Sequence, residues 1–453
     1  MVDGRLKEHL HRNQGRFVED ISRLVAQRSV SARKEGIDDC AKLVSSMIKE
    51  IGGKSRILRQ EGSAPLVYGE VKSSRSDKTI LLYNHYDVQP EEPLDLWTSP
   101  PFEPEVRKGR LYGRGASDDK GEFVARLKLV ESYIKVYGEP PCNFKFCVEG
   151  EEETGSNGFE RYIAENSDLF ECDAALWEYG AVTREGRPVV SLGGKGTLYV
   201  EYAIRSLTQD AHSAHAAILP SAPWRMVRLL STIKDGSERI LVPGWYDGVE
   251  DFNDGELELL DAQPFDRGFF EDSYGAHEFV AASTDLELKK ALQSRPTANI
   301  AGLWAGYSGT GMKTVLPAEV HCKMDFRLAL GQDPKALFKK LRAHLDKNGF
   351  ADVKMTVLDC EPAARTLPDD PWAKAAMRAG EETYRKKSIV ELCSAGTSPF
   401  YVIRDRYDAP IVSIGVSPPD ASLHAPNENI RLDLLERGMV WIAQTFENYL
   451  EGS

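Results

Sequence analysis

The stretch KTILLYNHYD (residues 78–87) decides the fold prediction. Its first part, KTILLYN (78–84), is a short apolar run that predicts a buried strand. His85 and Asp87 follow directly, and they point the same way in extended geometry because they are two residues apart. Ligands bind at the carboxyl ends of strands in open α/β sheets, so this pair is a candidate site. A hydrogen-bonded turn is the ordinary alternative for two such residues alone.

The segments around this strand repeat the pattern of an α/β domain. CNFKFCVEG (142–150) and AALWEYG (174–180) predict two more buried strands, and residues 120–137 predict a helix between the first two strands. Residues 15–28 and 37–51 have helical apolar spacing as well. Strands that alternate with helices indicate a mixed, mostly parallel sheet flanked by helices.

The pattern changes near residue 194 and changes back near residue 364. Between them we predict strands at 196–206, 297–306, 318–330 and 352–360, with helices at 223–234 and 334–347. This β-α-β-β-α-β order is that of an α+β ferredoxin-like domain. It is interrupted by an acidic and aromatic insertion at about 238–290, for which we expect a small satellite core; a substrate-gating cover is the alternative. We therefore predict a split α/β domain (1–193 and 364–453) and an inserted domain (194–363).

The composition excludes several functional classes. The 453 residues include 57 Lys and Arg against 70 Asp and Glu, a net charge of −13. Binding to nucleic acid or to an anionic membrane relies on a positive footprint, so neither partner is expected. The seven Cys include no CxxC pair, which disfavours a disulfide framework or a thiolate zinc site. The polar N-terminus and the lack of a long apolar run predict neither signal peptide nor membrane span, hence a cytoplasmic protein.

Charged motifs recur where predicted strands end or helices begin. Asp118 and Asp119 stand at the start of the predicted helix at 120–137, where one Asp would serve as an N-cap. Glu152 and Glu153 belong to an acidic loop after the second strand, which a solvated loop would also explain. Similar positions are held by Glu178, at the end of the third strand, and by His424, after IVSIGV (411–416).

The positions of these residues indicate a function only when they are considered together. All of them would gather at one edge of one sheet. Two His and several carboxylates, with no Cys, suit zinc, manganese or cobalt in mixed nitrogen and oxygen sites. One shared carboxylate, with one His and one Glu for each ion, would make a two-metal site.

The sequence resembles the M20 family of metallopeptidases, which includes carnosinase-like dipeptidases, aminoacylases and carboxypeptidase G. The likeness is nearest to the cytosolic dipeptidase branch. The matching motifs occur in family order over most of the chain: HYDVQP (85–90), YGRGASDDKG (112–121), EGEEETGS (149–156), LWEYG (176–180), DAHSA (210–214), SGTGMKTVLP (308–317), DFRL (325–328), AGTSP (395–399) and HAPNE (424–428).

The resemblance implies a zinc-peptidase-like catalytic domain with two divalent metal ions, zinc being expected and manganese or cobalt the alternatives. His85 and Glu178 would bind one ion, Glu153 and His424 the other, and Asp118 would bridge both.

The resemblance also implies roles for the neighbouring acids. Asp118 would be joined to Asp119 by a cis peptide, Asp87 would orient His85, and Glu152 would be the general base. Glu178 stands where the nearest dipeptidases have Asp, which leaves the substrate type open.

The inserted domain resembles the family's lid and dimerisation domain, which implies a homodimer. His212 would stabilise the oxyanion in the partner subunit's site, although HSA replaces the usual HSG; His215 is expected to be a surface residue. Arg327 would bind the substrate carboxylate, with an ordinary strand arginine as the alternative. Thr397 and the backbone of Gly396 would help to seat the same carboxylate.

We therefore expect a metallopeptidase that cleaves an amide bond beside a free carboxylate, most simply in a dipeptide. An N-acyl- or N-carbamoyl-amino-acid amidohydrolase is the alternative within the same fold. A non-catalytic scaffold is the alternative of a different class.

Overall fold

A computed structural model describes residues 2–280 and 284–452. The chain divides into two compact units. The first unit contains the residues up to 193, residues 365–392 and those from 399 onward; the second contains residues 194–364 and 393–398. The predicted insertion at 238–290 includes residues 281–283, and the predicted split domain includes residues 1 and 453. These residues lie outside the described part.

The helices and strands are numbered here in chain order. The α-helices are α1 (Gly4–Ala26), α2 (Ile37–Glu50), α3 (Lys120–Tyr137), α4 (Phe159–Glu165), α5 (Ser167–Phe170), α6 (Ala222–Ile233), α7 (Asp254–Asp261), α8 (Arg267–Tyr274), α9 (Asp285–Ser294), α10 (Pro334–Lys347), α11 (Pro371–Tyr384), α12 (Phe400–Tyr407) and α13 (Leu432–Glu451). The strands are β1 (Lys54–Leu58), β2 (Leu66–Val71), β3 (Thr79–His85), β4 (Glu105–Arg107), β5 (Arg110–Tyr112), β6 (Asn143–Glu149), β7 (Ala174–Trp177), β8 (Val189–Ser191), β9 (Gly193–Gly194), β10 (Gly196–Arg205), β11 (Ala211–His212), β12 (Thr297–Ala305), β13 (Val315–Leu316), β14 (Glu319–Leu328), β15 (Lys354–Glu361), β16 (Ala364–Arg365), β17 (Ile389–Glu391), β18 (Ile411–Ser413) and β19 (Asn429–Arg431).

The first unit is built on an eight-stranded sheet with the order β1-β2-β6-β3-β7-β18-β8-β17. The neighbours β6–β3, β3–β7, β7–β18 and β8–β17 are parallel. The β1–β2 and β2–β6 pairs at one edge and the β18–β8 pair are antiparallel. The prediction of a mixed, mostly parallel sheet is confirmed. The sequence analysis predicts neither β1 nor β2. Strand β1 is partly exposed and has only two apolar residues, Ile57 and Leu58, which follow Lys54 and Arg56. Strand β2 is almost wholly buried, and its short apolar run was missed.

Helices α1 and α3 show how accurately the apolar spacing of the sequence predicts the ends of a helix. The prediction for α3, residues 120–137, coincides with the observed bounds. Helix α1 begins eleven residues before the predicted start at residue 15, since it spans Gly4–Ala26. Leu6 and Leu10 are buried on its core face, but the polar residues between and after them hide the helical spacing. Asp3 caps this helix by accepting hydrogen bonds from the amides of Arg5 and Leu6.

The second unit contains a four-stranded antiparallel sheet with the order β12-β14-β10-β15. The chain order β10-α6-β12-β14-α10-β15, with α7 to α9 before β12, gives the predicted ferredoxin-like arrangement. One face of the sheet and the apolar faces of α6 and α10 form its core. In the insertion, the ring centroids of Phe265 and Phe270 lie 5.4 Å apart and those of Phe270 and Phe279 lie 5.7 Å apart.

Across residues 2–280 and 284–452, none of the helices has the length and apolar character needed to cross a bilayer.

Candidate metal centre

The first unit brings its charged motifs together at one edge of the sheet. Strand β3 ends at His85, which lies beside Glu149, the last residue of the parallel neighbour β6. On the other side of β3, β7 ends at Trp177, directly before Glu178. Because these strands are parallel, their carboxyl ends and the loops that follow lie at the same edge.

His85 faces three carboxylates with one ring nitrogen. Its Nε2 atom lies 3.0 Å from Asp118 Oδ1, 3.8 Å from Glu178 Oε2 and 4.0 Å from Glu152 Oε2. Its Nδ1 atom lies 3.0 Å from the backbone carbonyl oxygen of Asp87 and 3.4 Å from Asp87 Oδ1. These acceptors orient the ring so that Nε2 is directed at the carboxylates.

His424 contacts the other side of the same carboxylate. Its Nε2 atom lies 3.0 Å from Asp118 Oδ2 and 3.2 Å from Glu153 Oε2. Asp118 therefore has one oxygen next to each histidine. The peptide bond between Asp118 and Asp119 is cis, as the resemblance implied.

Asp87 has a second function that the sequence does not reveal. Its carboxylate accepts hydrogen bonds from the backbone amides of Glu152 and Glu153, at 3.2 and 3.1 Å. One side chain therefore links the His85 strand end to the 3-10 turn Glu152–Thr154.

Two further polar side chains support the site and were missed by the sequence reasoning. Gln89 Nε2 donates to Glu153 Oε2 at 2.8 Å. Asn84 Nδ2 donates to Asp119 Oδ2 at 2.6 Å, and the His85 amide donates to the same oxygen at 3.1 Å. Asn84 directly precedes the HYDVQP motif (85–90) and Gln89 lies within it, so proximity in sequence was the available signal.

The donor atoms fit divalent cations. Atoms of His85, Asp118 and Glu153 lie within 4.8 Å of one another, and so do atoms of His85, Asp119 and Glu178. Three nitrogen and oxygen ligands with room for a further ligand are typical of catalytic zinc sites. The second group adds Asp119 as a possible ligand that the sequence reasoning did not assign. Together with His424, the two groups give this edge a metal-binding donor set.

The site is electrostatically negative. Burial, reinforced by Glu178, raises the pKa of Glu152 well above its usual range. Burial also raises the pKa of Asp119 to about 6. Hydrogen bonds to Asp118 and Glu153 raise the pKa of His424 to about 10. The carboxylates thus favour the protonated form of the His424 imidazole. Their negative potential also attracts a divalent cation.

The remaining predicted site residues lie in the second unit. Arg327 Nη1 donates to Thr397 Oγ1 at 2.7 Å, so these two predicted carboxylate-binding residues are in direct contact. The amide of Gly396 donates to Ser394 Oγ at 3.2 Å. Arg327 Nε also lies 3.8 Å from Asp325 Oδ2.

His212 is exposed at the end of β11. Its Nδ1 accepts a hydrogen bond from the amide of Ala214 at 3.0 Å, and its Nε2 lies 3.1 Å from Thr314 Oγ1. His215 is exposed too. The roles assigned to all these residues stay predictions.

Comparison with known proteins relates most of the chain to one family. The sequence model of peptidase family M20/M25/M40 matches residues 81–448. The Cys-Gly metallodipeptidase dug1 of Schizosaccharomyces pombe is 29% identical over 364 residues, covering 76% of this chain and 75% of that protein. The Cys-Gly metallodipeptidase DUG1 of Candida albicans is 30% identical over 358 residues, covering 73% of this chain and 72% of that protein.

Solved structures agree with this relationship. The M20 family metallo-carboxypeptidase Sso-CP2 from Sulfolobus solfataricus has a TM-score of 0.91 and 32% identity, with 96% of this chain and 99% of that chain covered. Human carnosine dipeptidase 1 has the same fold, with a TM-score of 0.81 at 24% identity and 99% of each chain covered.

Proposed function

The chain belongs to peptidase family M20/M25/M40, and from this premise we propose that it is a metal-dependent dipeptidase that cleaves an amide bond beside a free carboxylate. The observation that carries the proposal is Asp118, whose two oxygens each lie 3.0 Å from a different histidine. Two relatives that match over about three quarters of their length are named metallodipeptidases, which supports the same activity. Their names do not favour the acyl- or carbamoyl-amino-acid alternative.

The metal ligands proposed are those of the first unit. His85 and Glu178 would hold one divalent ion, Glu153 and His424 the other, and Asp118 both. Zinc is the proposed metal, because mixed imidazole and carboxylate ligands suit it. Bound ions would polarise the scissile carbonyl and lower the pKa of water toward about 7.

Glu152 is the proposed general base. It stands on the 3-10 turn held by Asp87, and its Oε2 atom lies 4.0 Å from His85 Nε2. It would accept a proton from the attacking water and return it to the leaving amine.

Residues of the second unit would recognise the substrate. The planar guanidinium of Arg327, already in contact with Thr397, suits bidentate binding of a carboxylate. The Gly396 backbone would help to seat the same group. His212 would donate a hydrogen bond to the developing oxyanion.

Turnover with and without metal tests the proposal. The purified protein is stripped with a chelator, reloaded with Zn²⁺ or Mn²⁺, and assayed on dipeptides, N-acetyl amino acids and N-carbamoyl amino acids at equal concentration. We expect dipeptide cleavage that disappears on chelation and returns with metal. Cleavage that survives exhaustive chelation would refute metal dependence, and faster turnover of the acylated substrates would move the assignment to an amidohydrolase.

A homodimer formed through the second unit is part of the proposal. Strand β12 is an edge strand of its sheet, and it exposes Ile300, Leu303 and Trp304. Exposed apolar edges are common pairing surfaces, and two-fold dimers are the commonest oligomers. Light scattering at micromolar concentration should give twice the chain mass; a monomer would contradict this.

The cytoplasm is the proposed location. All seven cysteines are free thiols, and six of them are buried, as expected in a reducing compartment. Cell fractionation that placed the protein in an oxidising compartment would contradict this.

A further inference from the structure

One fully buried carboxylate of the site has no part in the proposed reaction. Glu428 is 0% exposed and stands four residues after His424. Its Oε1 atom accepts hydrogen bonds from the backbone amides of Ser117 and Asp118, at 3.0 and 2.9 Å. A single oxygen of Glu428 therefore binds the chain at the residue that faces both histidines.

The second oxygen of Glu428 extends this contact along the same loop. Oε2 accepts from the amide of Gly115 at 3.0 Å and from Arg114 Nη1 at 2.8 Å. The backbone carbonyl of Glu428 accepts from the amide of Gly113 at 3.0 Å. Just beyond these contacts, β19 pairs with β5, which places Ile430 opposite Leu111. Glu428, at the end of the loop 424–428, is thus joined to the loop at 113–118 by five hydrogen bonds.

The loop that carries His424 needs such support. His424 and Asn427 have φ angles of 56° and 62°, in the left-handed region that non-glycine residues rarely adopt. Such conformations persist where surrounding contacts fix them. Asn427 accepts from the amide of Thr98 and donates to the carbonyl of Leu96, each at 2.9 Å. Glu428 supplies the contacts on the side of Asp118.

We propose that Glu428 is a positioning residue that sets Asp118 and His424 in their metal-binding arrangement before a cation binds. The proposal rests on the metal site of the proposed function, but it does not depend on which substrate is cleaved. The chemistry requires a carboxylate, because both oxygens meet donors only: three backbone amides and the Arg114 guanidinium. A glutamine would present its NH₂ group to donors on one of these two edges.

Metal affinity of the full-length variant Glu428→Gln tests the proposal. Co²⁺ is used as the probe, with competition against a chelator for affinity and the visible absorption band for coordination. We expect binding about 10- to 100-fold weaker than in the parent, the usual effect of losing a partner that orients ligands, together with an altered Co²⁺ band. Affinity within threefold of the parent, with an unchanged band, would overturn the proposal.

Glu131→Gln is the matched control. Glu131 is another buried carboxylate of the first unit, 6% exposed, and it is paired with Arg16 at 3.0 Å and with Lys128 at 3.2 Å. It touches none of the proposed ligands, so we expect parental Co²⁺ affinity and an unchanged band. An equal loss in both variants would show a general effect of removing a buried charge and would overturn the specific role of Glu428.

Hydrogen exchange in the parent protein provides a test that does not require the variant to fold. We expect the amides of Gly115, Ser117 and Asp118 to exchange slowly in chelator-treated protein, because Glu428 already binds them. Fast exchange that becomes slow only with metal would overturn the proposal. Neither readout uses hydrolysis, so a protein that binds Co²⁺ yet cleaves no peptide would refute the proposed function alone.

Discussion

Glu152 differs from Glu149 and Glu151, in the same loop, in the groups that its carboxylate contacts. Glu149 and Glu151 form hydrogen bonds that stabilise the loop. Glu149 Oε1 accepts a hydrogen bond from Ser156 Oγ at 3.0 Å, and Glu151 accepts hydrogen bonds from the backbone amides of Ala64 and Gly158. Glu152 instead points toward His85. The four glutamates of this acidic motif therefore have different roles, and only their contacts in the folded structure distinguish those roles.

Replacing Glu152 by glutamine should separate catalysis from metal binding. The amide keeps the size of the side chain but cannot accept the proton, so we expect kcat to fall by about 10²- to 10⁴-fold. Metal content by elemental analysis should remain parental, which serves as the control. A kcat within threefold of the parent would remove Glu152 from the role of base.

Asp3 gives the first unit a stability contribution that depends on pH. The hydrogen bond from Tyr137, together with those from the Leu6 amide and the Arg5 side chain, lowers the pKa of Asp3 to about 2. Since the folded pKa lies below the unfolded value of about 3.9, the contribution is present above about pH 4 and is lost as pH falls toward 2.

The variant Asp3→Ala should show this dependence in thermal unfolding. At pH 7 we expect a loss of about 1 kcal/mol, typical of an N-cap, which lowers the unfolding midpoint by about 2–4 °C. The difference from the parent should shrink as the pH falls from about 4 to about 2. Tyr137→Phe removes the largest cause of the pKa shift and should reproduce part of the effect; a difference independent of pH would contradict the assignment.

At the scale of elements, helix α3 is hydrogen-bonded to the strands whose ends form the site. Arg126 Nη1 donates to the carbonyl of Tyr83 at 2.8 Å, and Nη2 donates to the carbonyls of Trp177 and Ile414 at 2.5 and 3.3 Å. One guanidinium therefore ties β3, the end of β7 and the segment after β18 to the same helix. Its positive charge also faces the buried acid Glu122, whose pKa burial raises to about 7.

The variant Arg126→Met should destabilise the first unit strongly. Methionine keeps the length of the stem but leaves buried carbonyls without donors and Glu122 without its counter-charge. We expect a loss of about 3–5 kcal/mol and a midpoint roughly 10 °C lower in calorimetry. Arg126→Lys, which keeps the charge but reaches fewer carbonyls, should fall between. An Arg126→Met midpoint within 2 °C of the parent would contradict this role.

At the scale of the whole molecule, metal removal should affect the two units differently. A bound ion stabilises only the segments whose order is linked to its ligands. On chelation we expect faster hydrogen exchange at residues 150–156 and 178–182 of the first unit. Strands β10 and β14 of the second unit should exchange as before and serve as the internal control. Equal acceleration in both units would contradict a site confined to the first.

Local pattern determined the main strands and helices of both units, but not short elements such as α4, β4 and β5. The bounds of α3 and α10 coincide with those predicted, because each has a helix start signal and an uninterrupted apolar face. The ligand motifs were recognisable because each one follows a strand or opens a helix. The N-terminal part of α1 and strand β1 were not predicted, since polar residues dominate their sequences. Strand β2 was not predicted although it is almost wholly buried, because its apolar run is short.

The sequence by itself determined which residue types stand at the sheet edge, because strand ends and their loops are local features. Only the tertiary structure decided how those residues are held. Glu428 and Asp118 are 310 residues apart in sequence, and Arg126 reaches a carbonyl 288 residues away. Such partners meet only when the chain packs, because a hydrogen bond depends on the positions of two atoms and no spacing in the sequence encodes that distance. The candidate metal ligands can therefore be recognised in the sequence, whereas the hydrogen bonds that set their geometry form only in the folded protein.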